Sequence, residues 1–197
     1  MLQTNSIDFQ NIDPKILTAV SALKEGKIIL IQTQTVWSLI CLLEDEPSFN
    51  RLQSFKRDDY PFNYECLVDS IELFKKYVPD LSPKVETLLS YHSRPLGILQ
   101  SSAYLPEHIK ECADKITYRL DSSIGIKSII PLVNQGLWAT SAYLEPMTEG
   151  TQYELINKAA KELADEIIMI KNIKGCTGEM AVVVEMDEED NLSFLRE

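Results

Sequence analysis

Three polar clusters hold the side chains best suited to chemistry, and each one adjoins a predicted helix or strand. Gln32–Thr35 follows the apolar run 27–31, and its hydroxyls and amides could orient a small polar ligand or form an ordinary turn. Lys56–Arg57 ends a predicted helix, where cations also complement the helix dipole without any further role. Thr140–Ser141 follows the run 137–139 and could bind phosphate or cap a loop. Taken singly, each cluster has a structural explanation.

Several other chemistries lack the residues that they need. With only 7 glycines the chain has no Walker A loop and no dinucleotide-binding fingerprint, and no serine stands in a nucleophile-elbow context. The 4 cysteines are scattered, without a Cys-x-x-Cys pair, and there are only 2 histidines. We therefore expect no metal site and no disulfide framework, and we expect reduced thiols.

Alternating helices and strands must position the polar clusters. Apolar periodicity, prolines and capping residues predict helices from Pro14 to before Gly26, from Pro47, and over 71–77, 84–89, 107–113, 124–133 and 152–165. Short apolar runs predict strands over 27–31, 36–43, 66–68, 95–99, 116–120, 137–141, 166–170, 181–186 and 192–195. This alternation predicts an α/β fold, with the strands after residues 27, 116, 137 and 166 in one sheet and one domain over 1–197.

Composition sets limits on partners and location. The chain has 197 residues, a formal net charge of −11, 45% hydrophobic and 25% charged residues, which is typical of a folded protein. No apolar run approaches the ~18 residues of a membrane span, and residues 1–14 do not resemble a signal peptide. We expect a cytoplasmic protein without membrane contact. The acidic balance argues against binding nucleic acid by bulk electrostatics.

The order and spacing of six segments are more informative than any one cluster. Residues 28–39 resemble an apolar strand followed by Pro-Thr-Asp-Thr-Val-Tyr-Gly-Leu, and residues 51–56 resemble a helix that ends in Lys-x-Arg. The remaining matches are 95–99 with Pro-Gly-Pro-Leu-Thr, 118–120 with Val-Arg-Val-Pro, 138–144 with a Ser-Ala-Asn loop, and 194–196 with a closing Leu-Arg. Together they resemble the YrdC-like family, the threonylcarbamoyl-AMP synthases, over residues 12 to 197.

The resemblance implies a YrdC-like fold, with a twisted mixed sheet, flanking helices and an open concave cleft. It implies a nucleotidyltransferase that uses L-threonine, bicarbonate and ATP with Mg²⁺ as substrates, without a tightly bound cofactor, in tRNA threonylcarbamoyladenosine formation. It also implies contact with double-stranded RNA or tRNA. Carried over by position, Lys56 and Arg119 would hold carboxylate, bicarbonate or phosphate charge. The other implied ligand contacts are Thr33, Thr35, Arg57, Thr140, Ser141 and Arg196.

The departures from the family pattern concentrate at ligand-contacting positions. They are Gln32, Gln34, Ser38, Asp58, Ser93, Arg94, Gly97, Asp121, Tyr143, Glu145 and Pro146, and the Ser-Thr pair expected near Ala181 is missing. An acid at 58, where a cation is expected, reverses a charge in a phosphate site. We therefore expect a divergent synthase-like protein with weak or no pyrophosphate release. The alternative is a non-catalytic ligand- or protein-binding module that uses the same cleft.

Overall fold

The computed structural model describes residues 12–55, 63–143, 152–170, 176–187 and 191–196. Its α-helices are α1 (Pro14–Lys24), α2 (Glu46–Gln53), α3 (Ile71–Tyr77), α4 (Pro83–Tyr91), α5 (Glu107–Lys110), α6 (Ile124–Val133) and α7 (Lys158–Leu163). Its strands are β1 (Ile29–Gln32), β2 (Trp37–Leu42), β3 (Tyr64–Val68), β4 (Leu96–Ser101), β5 (Lys115–Leu120), β6 (Leu137–Ser141), β7 (Glu166–Ile168), β8 (Val182–Met186) and β9 (Leu192–Arg196). The predicted α/β class is confirmed.

All of these strands lie in one mixed sheet, in the order β7-β1-β2-β6-β3-β5-β4-β8-β9. The pairs β1/β7, β3/β5 and β4/β8 are parallel, and the other neighbouring pairs are antiparallel. Helix α1 packs against α6, β1 and β7, α2 packs against β2, and α3 packs against β3 and β5. The prediction that the strands after residues 27, 116, 137 and 166 share a sheet is confirmed.

The helix ends follow from local sequence. The Asp13 carboxylate accepts the amide hydrogen of Lys15 at 2.8 Å, and Pro14 occupies the first turn of α1. Gly26 adopts a φ of +73° just after this helix, a conformation that glycine tolerates best. Asn134 ends α6 with a φ of 57°, a left-handed conformation that asparagine adopts more readily than most residues.

The helix predicted over 152–165 is wrong as a continuous element. A short 3-10 turn covers Tyr153–Leu155, Ile156 is extended, and α7 begins only after Asn157. The Asn157 side chain caps α7 by accepting from Ala159 N at 2.8 Å, while its own amide donates to the Ala142 carbonyl at 3.2 Å. A capping asparagine and a tertiary hydrogen bond therefore override the apolar periodicity.

Candidate functional site

Strand register places one row of residues on the same side of seven neighbouring strands. Residues directly opposite each other in a pair, and residues two apart along a strand, share a side of the sheet. By this rule the row comprises Ser38, Ser141, Glu65, Arg119, Gly97, Val183 and Arg196. We call this side the polar face. The alternating residues Tyr64, Tyr118, Trp138 and Thr140 lie on the other side, which we call the aromatic face.

Arg119 is the central charge of the polar face and is fully buried. Its Nε donates to Glu65 Oε2 at 2.8 Å and its Nη2 donates to Glu65 Oε1 at 2.6 Å, so the two side chains form a bidentate pair. Its Nη1 donates to Asp121 Oδ2 at 2.5 Å. Burial acts to lower the pKa of Arg119, but the two carboxylates outweigh burial and raise that pKa. The arginine charge is therefore permanent and is already matched by two anions.

Asp121 connects this cluster to the segment after β1. Its Oδ1 accepts from both the backbone N–H and the hydroxyl of Ser123, and its Oδ2 also accepts from the backbone N–H of Gln34 at 3.1 Å. The Asp121 side chain is completely buried. Both oxygens of this carboxylate are thus engaged by protein donors, which fixes the carboxylate beside the Arg119 guanidinium.

Thr33 and Thr35 lie at the edge of the same cluster, with both side chains buried. Their hydroxyl oxygens are 3.0 Å apart, and Thr33 Oγ1 also donates to the Val36 carbonyl at 3.0 Å. The Nη2 of Arg119 lies 3.4 Å from Thr33 Oγ1. The structure therefore brings Thr33 and Arg119 together, and their ligand contacts stay a prediction.

The segment 176–178 covers the turn that contains these threonines. Thr177 N donates to the Gln34 carbonyl and Gly178 N to the Thr35 carbonyl, each at 2.9 Å. The Cys176 thiol donates to the Thr33 carbonyl at 2.8 Å. Burial raises the pKa of Cys176 to about 12, with a smaller contribution from Asp121 and an opposing one from Arg119. The Cys176 thiol is therefore protonated at neutral pH.

Arg196 brings a second cation to the polar face from the edge strand β9. Its Nε donates to the Ala181 carbonyl at 2.9 Å. Burial lowers the pKa of Arg196, the Glu65 charge raises it, and the Arg119 charge lowers it. Strand register puts Arg196 on the polar face, with β4 and β8 between its strand and the strand of Arg119.

Ser141 and Thr140 separate onto the two faces of the sheet. Ser141 lies on the polar face, and its Oγ accepts from the Tyr143 amide at 3.2 Å. Thr140 lies on the aromatic face and donates its hydroxyl to the Asn63 carbonyl at 2.6 Å. The predicted hydroxyl pair therefore does not point into one pocket. Its predicted ligand contacts, like those of the other site residues, stay a prediction.

Five of the residues that the sequence singles out lie outside the described residues: Lys56, Arg57, Asp58, Glu145 and Pro146. The predicted convergence of Lys56 with Ser141 therefore stays a prediction. By sequence alone, the segment 56–59 holds two cations and two acids.

Gly97 lies opposite Arg119 and leaves no room for a side chain. A Cβ at this position would approach Thr117 Cγ2 to 2.6 Å and Val183 Cγ2 to 3.4 Å. The resemblance places a threonine here, and the close neighbours explain why this chain holds a glycine instead.

A separate cavity of about 210 Å³ lies on the opposite side of β4 and β5. Leu89, Leu96 and Leu120 form its apolar wall, and Gln34 and Arg94 contribute polar groups. Leu96 and Leu120 alternate with Gly97 and Arg119 along their strands, so the cavity and the ionic cluster lie on opposite sides of the sheet.

Glu65 is the residue that sequence reasoning missed. It lies between Tyr64 and Cys66 in a strand that is otherwise apolar, and a charged residue in a buried strand almost always has a partner. A signal was present, because Arg119 is likewise a charge in the buried part of its strand, between Tyr118 and Leu120. Their pairing depends on the parallel register of β3 and β5, which the sequence does not specify.

The described residues hold neither a metal-binding cluster nor a membrane-spanning helix. Among the described residues no group of three or more His, Cys, Asp or Glu side chains is arranged to hold a metal ion. In the same part of the chain, no helix is both long and apolar enough to span a bilayer.

Similar folds occur among solved structures. The Sua5 protein of P. abyssi superposes with a TM-score of 0.76 at 21% identity, covering 94% of this chain and 57% of that protein. E. coli YciO gives a TM-score of 0.73 at 20% identity, covering 92% of this chain and 88% of YciO. P. abyssi Sua5 complexed with L-threonine gives 0.71 at 20% identity, with 92% and 53% coverage. The chain thus spans little more than half of Sua5.

Sequence comparison identifies the family. No curated protein sequence matches the chain. The profile of the Sua5/YciO/YrdC domain, described as "Telomere recombination", matches residues 21–197. Since this match covers most of the sequence, the chain belongs to the Sua5/YciO/YrdC family.

Proposed function

We propose that this chain is a divergent threonylcarbamoyl-AMP synthase-like domain that binds L-threonine or a close amino acid and carries out the ATP-dependent step weakly. Family membership and the fold shared with an L-threonine complex of Sua5 support an amino-acid ligand. The observation that carries the proposal is the buried Arg119, whose charge is matched by Glu65 and Asp121.

Adenylate formation requires cations and donors directed at phosphate. Negative charge develops on the transferred group, and preorganised cations stabilise it. Arg119 is fully buried and its guanidinium is held by two carboxylates, so its charge is balanced inside the protein. A triphosphate would approach a cluster whose buried cation is already paired with two carboxylates. An amino acid, which carries one ammonium and one carboxylate, suits such a cluster better.

The burial of Arg119 also limits how the domain could bind RNA. The candidate RNA-binding cations are Lys56, Arg57, Arg94 and Arg119, but Arg119 has no exposed surface for a phosphate. Arg94 is exposed and lies 3.7 Å from a Glu179 carboxylate oxygen. With a net charge of −11, the domain repels a polyanion at long range. We therefore expect at most modest RNA affinity with a shallow salt dependence.

The test measures binding and turnover separately on the same protein. Binding of L-threonine to the native state alone raises the melting temperature by mass action, and isothermal calorimetry gives the affinity. Pyrophosphate release is followed with ATP, Mg²⁺, L-threonine and bicarbonate. We expect threonine binding together with slow or undetectable pyrophosphate release.

Two results would overturn the proposal in different ways. Pyrophosphate release comparable to that of an active family member, and abolished in Lys56→Ala, would identify an intact synthase. No response to L-threonine or to other amino acids would leave the non-catalytic ligand- or protein-binding module as the better account.

A further inference from the structure

The cavity on the opposite side of β4 and β5 differs in charge from the rest of the chain. Its eight described lining residues include one arginine, Arg94, and no carboxylate, although the chain holds 30 acidic residues against 19 basic ones. Three leucines form its apolar wall. Its volume of about 210 Å³ is below the roughly 300–1,000 Å³ of pockets for drug-sized molecules. The cavity therefore suits a small ligand that has an apolar end and an anionic end.

The Arg94 guanidinium has donors to offer such an anion. Its Nη2 lies 3.7 Å from Glu179 Oε2, which is too long for a hydrogen bond, and both side chains are 59% exposed. The backbone of Arg94 is held in place, because its carbonyl accepts from His92 Nδ1 at 2.8 Å and the His92 amide donates to the Leu88 carbonyl at 2.9 Å. Within the described part of the chain, the planar fork of N–H groups is thus available to pair with a carboxylate.

Gln34 supplies a second donor from a fixed position in the lining. Its backbone N–H donates to Asp121 Oδ2 at 3.1 Å, and its carbonyl accepts from Thr177 N at 2.9 Å. Its side-chain Oε1 accepts from Ser122 N at 3.3 Å, which leaves the two N–H groups of Nε2 for a ligand. Because backbone and side chain are already held, little conformational entropy is lost when a ligand binds here.

Both donors are departures from the family pattern. Gln34 replaces the aspartate of Pro-Thr-Asp-Thr, and Ser93 and Arg94 replace the Pro-Gly that precedes the fourth strand. The first change removes an anion and the second adds a cation. Relative to that pattern, the lining in this chain therefore attracts an anion that an aspartate would repel.

We propose that this cavity is a binding site for a small aliphatic carboxylate. The ligand carboxylate pairs with the Arg94 guanidinium and accepts from the Gln34 amide, and the aliphatic end lies against Leu89, Leu96 and Leu120. The site goes beyond the proposed function and does not depend on it, because the ionic cluster lies on the other side of the sheet.

The first experiment varies the ligand and leaves the protein unchanged. The probes are 4-methylpentanoate, its neutral analogue 4-methylpentanamide, and acetate, which lacks the aliphatic end. Affinities are measured by NMR titration of the labelled protein. We expect 4-methylpentanoate to bind about three- to tenfold more tightly than 4-methylpentanamide, as expected for one solvent-exposed charged contact, and more tightly than acetate. Equal affinities of the acid and the amide, or no binding of the acid, would overturn the proposal.

The second experiment locates the site. In Arg94→Gln we expect 4-methylpentanoate to bind about three- to tenfold more weakly, with little change for 4-methylpentanamide. Lys115→Gln is the matched control, since it removes the same charge from a side chain that is 58% exposed, at the end of β5 remote from Leu120. We expect this control to bind 4-methylpentanoate as the wild type does.

Two results of the second experiment would overturn the proposal. Unchanged affinity for 4-methylpentanoate in Arg94→Gln, with folding verified by circular dichroism, would show that the carboxylate does not bind at this cavity. An equal loss of affinity in Lys115→Gln would show that net charge, rather than the position of Arg94, controls binding.

Discussion

The two faces of strands β3, β5 and β6 are built from alternating residues of the same short segments, yet they are stabilised differently. On the aromatic face Tyr64 stacks on Trp138 with ring centroids 5.8 Å apart, and Phe74 packs on Tyr118 at 5.2 Å. On the polar face the corresponding positions hold Glu65 and Arg119. One face is therefore stabilised by apolar area and the other by matched charges.

This difference predicts which amino-acid substitutions the domain tolerates. Burial of apolar area is roughly additive and non-directional, so an aromatic side chain can be replaced by another of similar volume. A buried ion pair is different, because removal of one partner leaves an uncompensated charge in a medium that solvates it poorly. Conservative substitutions should be mild on the aromatic face and severe at Arg119.

The largest expected effect comes from Arg119→Leu. This change leaves Glu65 and Asp121 without their shared cation, and we expect the free energy of unfolding to fall by about 3–5 kcal/mol. Urea denaturation followed by circular dichroism measures it. If the loss comes from unpaired charge, adding Glu65→Gln and Asp121→Asn to Arg119→Leu should restore part of the stability. A free energy of unfolding within about 1 kcal/mol of wild type for Arg119→Leu alone would contradict the distinction between the faces.

The aromatic face was largely predictable from sequence. Apolar runs with β-branched and aromatic residues predict strands, and their alternation with helical periods predicts the α/β class. Tyr118 and Trp138 lie in predicted strands and are buried, whereas Tyr64 lies just before the strand predicted over 66–68 and is buried in β3. The helix over 152–165 failed because periodicity does not report that Asn157 hydrogen-bonds to Ala142.

The polar face was harder to predict because it depends on contacts between distant segments. The approach of Arg119 to Thr33 follows from the resemblance, but Glu65 is 54 residues from Arg119 in sequence and joins it only through strand pairing. The separation of Thr140 from Ser141 follows from the two-residue period of a strand, once β6 is known to reach Ser141. Strand register determines which of these side chains meet, and residue types alone do not specify that register.

An intermediate effect on stability is expected from the adjacent hydroxyls of Thr140 and Ser141, which lie on opposite faces of the sheet. Thr140→Val removes the 2.6 Å hydrogen bond to the partly buried Asn63 carbonyl, and we expect the free energy of unfolding to fall by about 1–3 kcal/mol. Ser141→Ala removes weaker contacts of 3.2 and 3.4 Å with Tyr143, so its effect should stay below that of Thr140→Val. Urea denaturation of both variants gives the comparison. A larger loss for Ser141→Ala would show that the polar face relies on its hydroxyls as well as its charges.

The smallest effect on stability is expected for the surface ion pair of Arg51 and Asp165, which joins an arginine to a carboxylate as the buried pair of Arg119 and Glu65 does. Arg51 donates to both oxygens of Asp165 at 3.0 Å, but the two side chains are 44% and 30% exposed, so solvent screens the pair. The hydrogen bond from Arg51 lowers the pKa of Asp165, burial opposes this effect, and the Ile28 amide adds to it.

A lowered pKa in the folded state fixes the sign of the pH dependence. The stabilisation by Asp165 is present above the ordinary aspartate pKa near 4 and is lost as the pH falls through the lowered value. We therefore expect Asp165→Asn to reduce the free energy of unfolding by at most about 1 kcal/mol at pH 7 in low salt, and by less at pH 3 or in 1 M salt. Urea denaturation at both pH values measures this difference. A loss at pH 7 as large as that of Arg119→Leu would mean that exposure does not separate the two ion pairs, and burial would then not explain the sensitivity of the polar face.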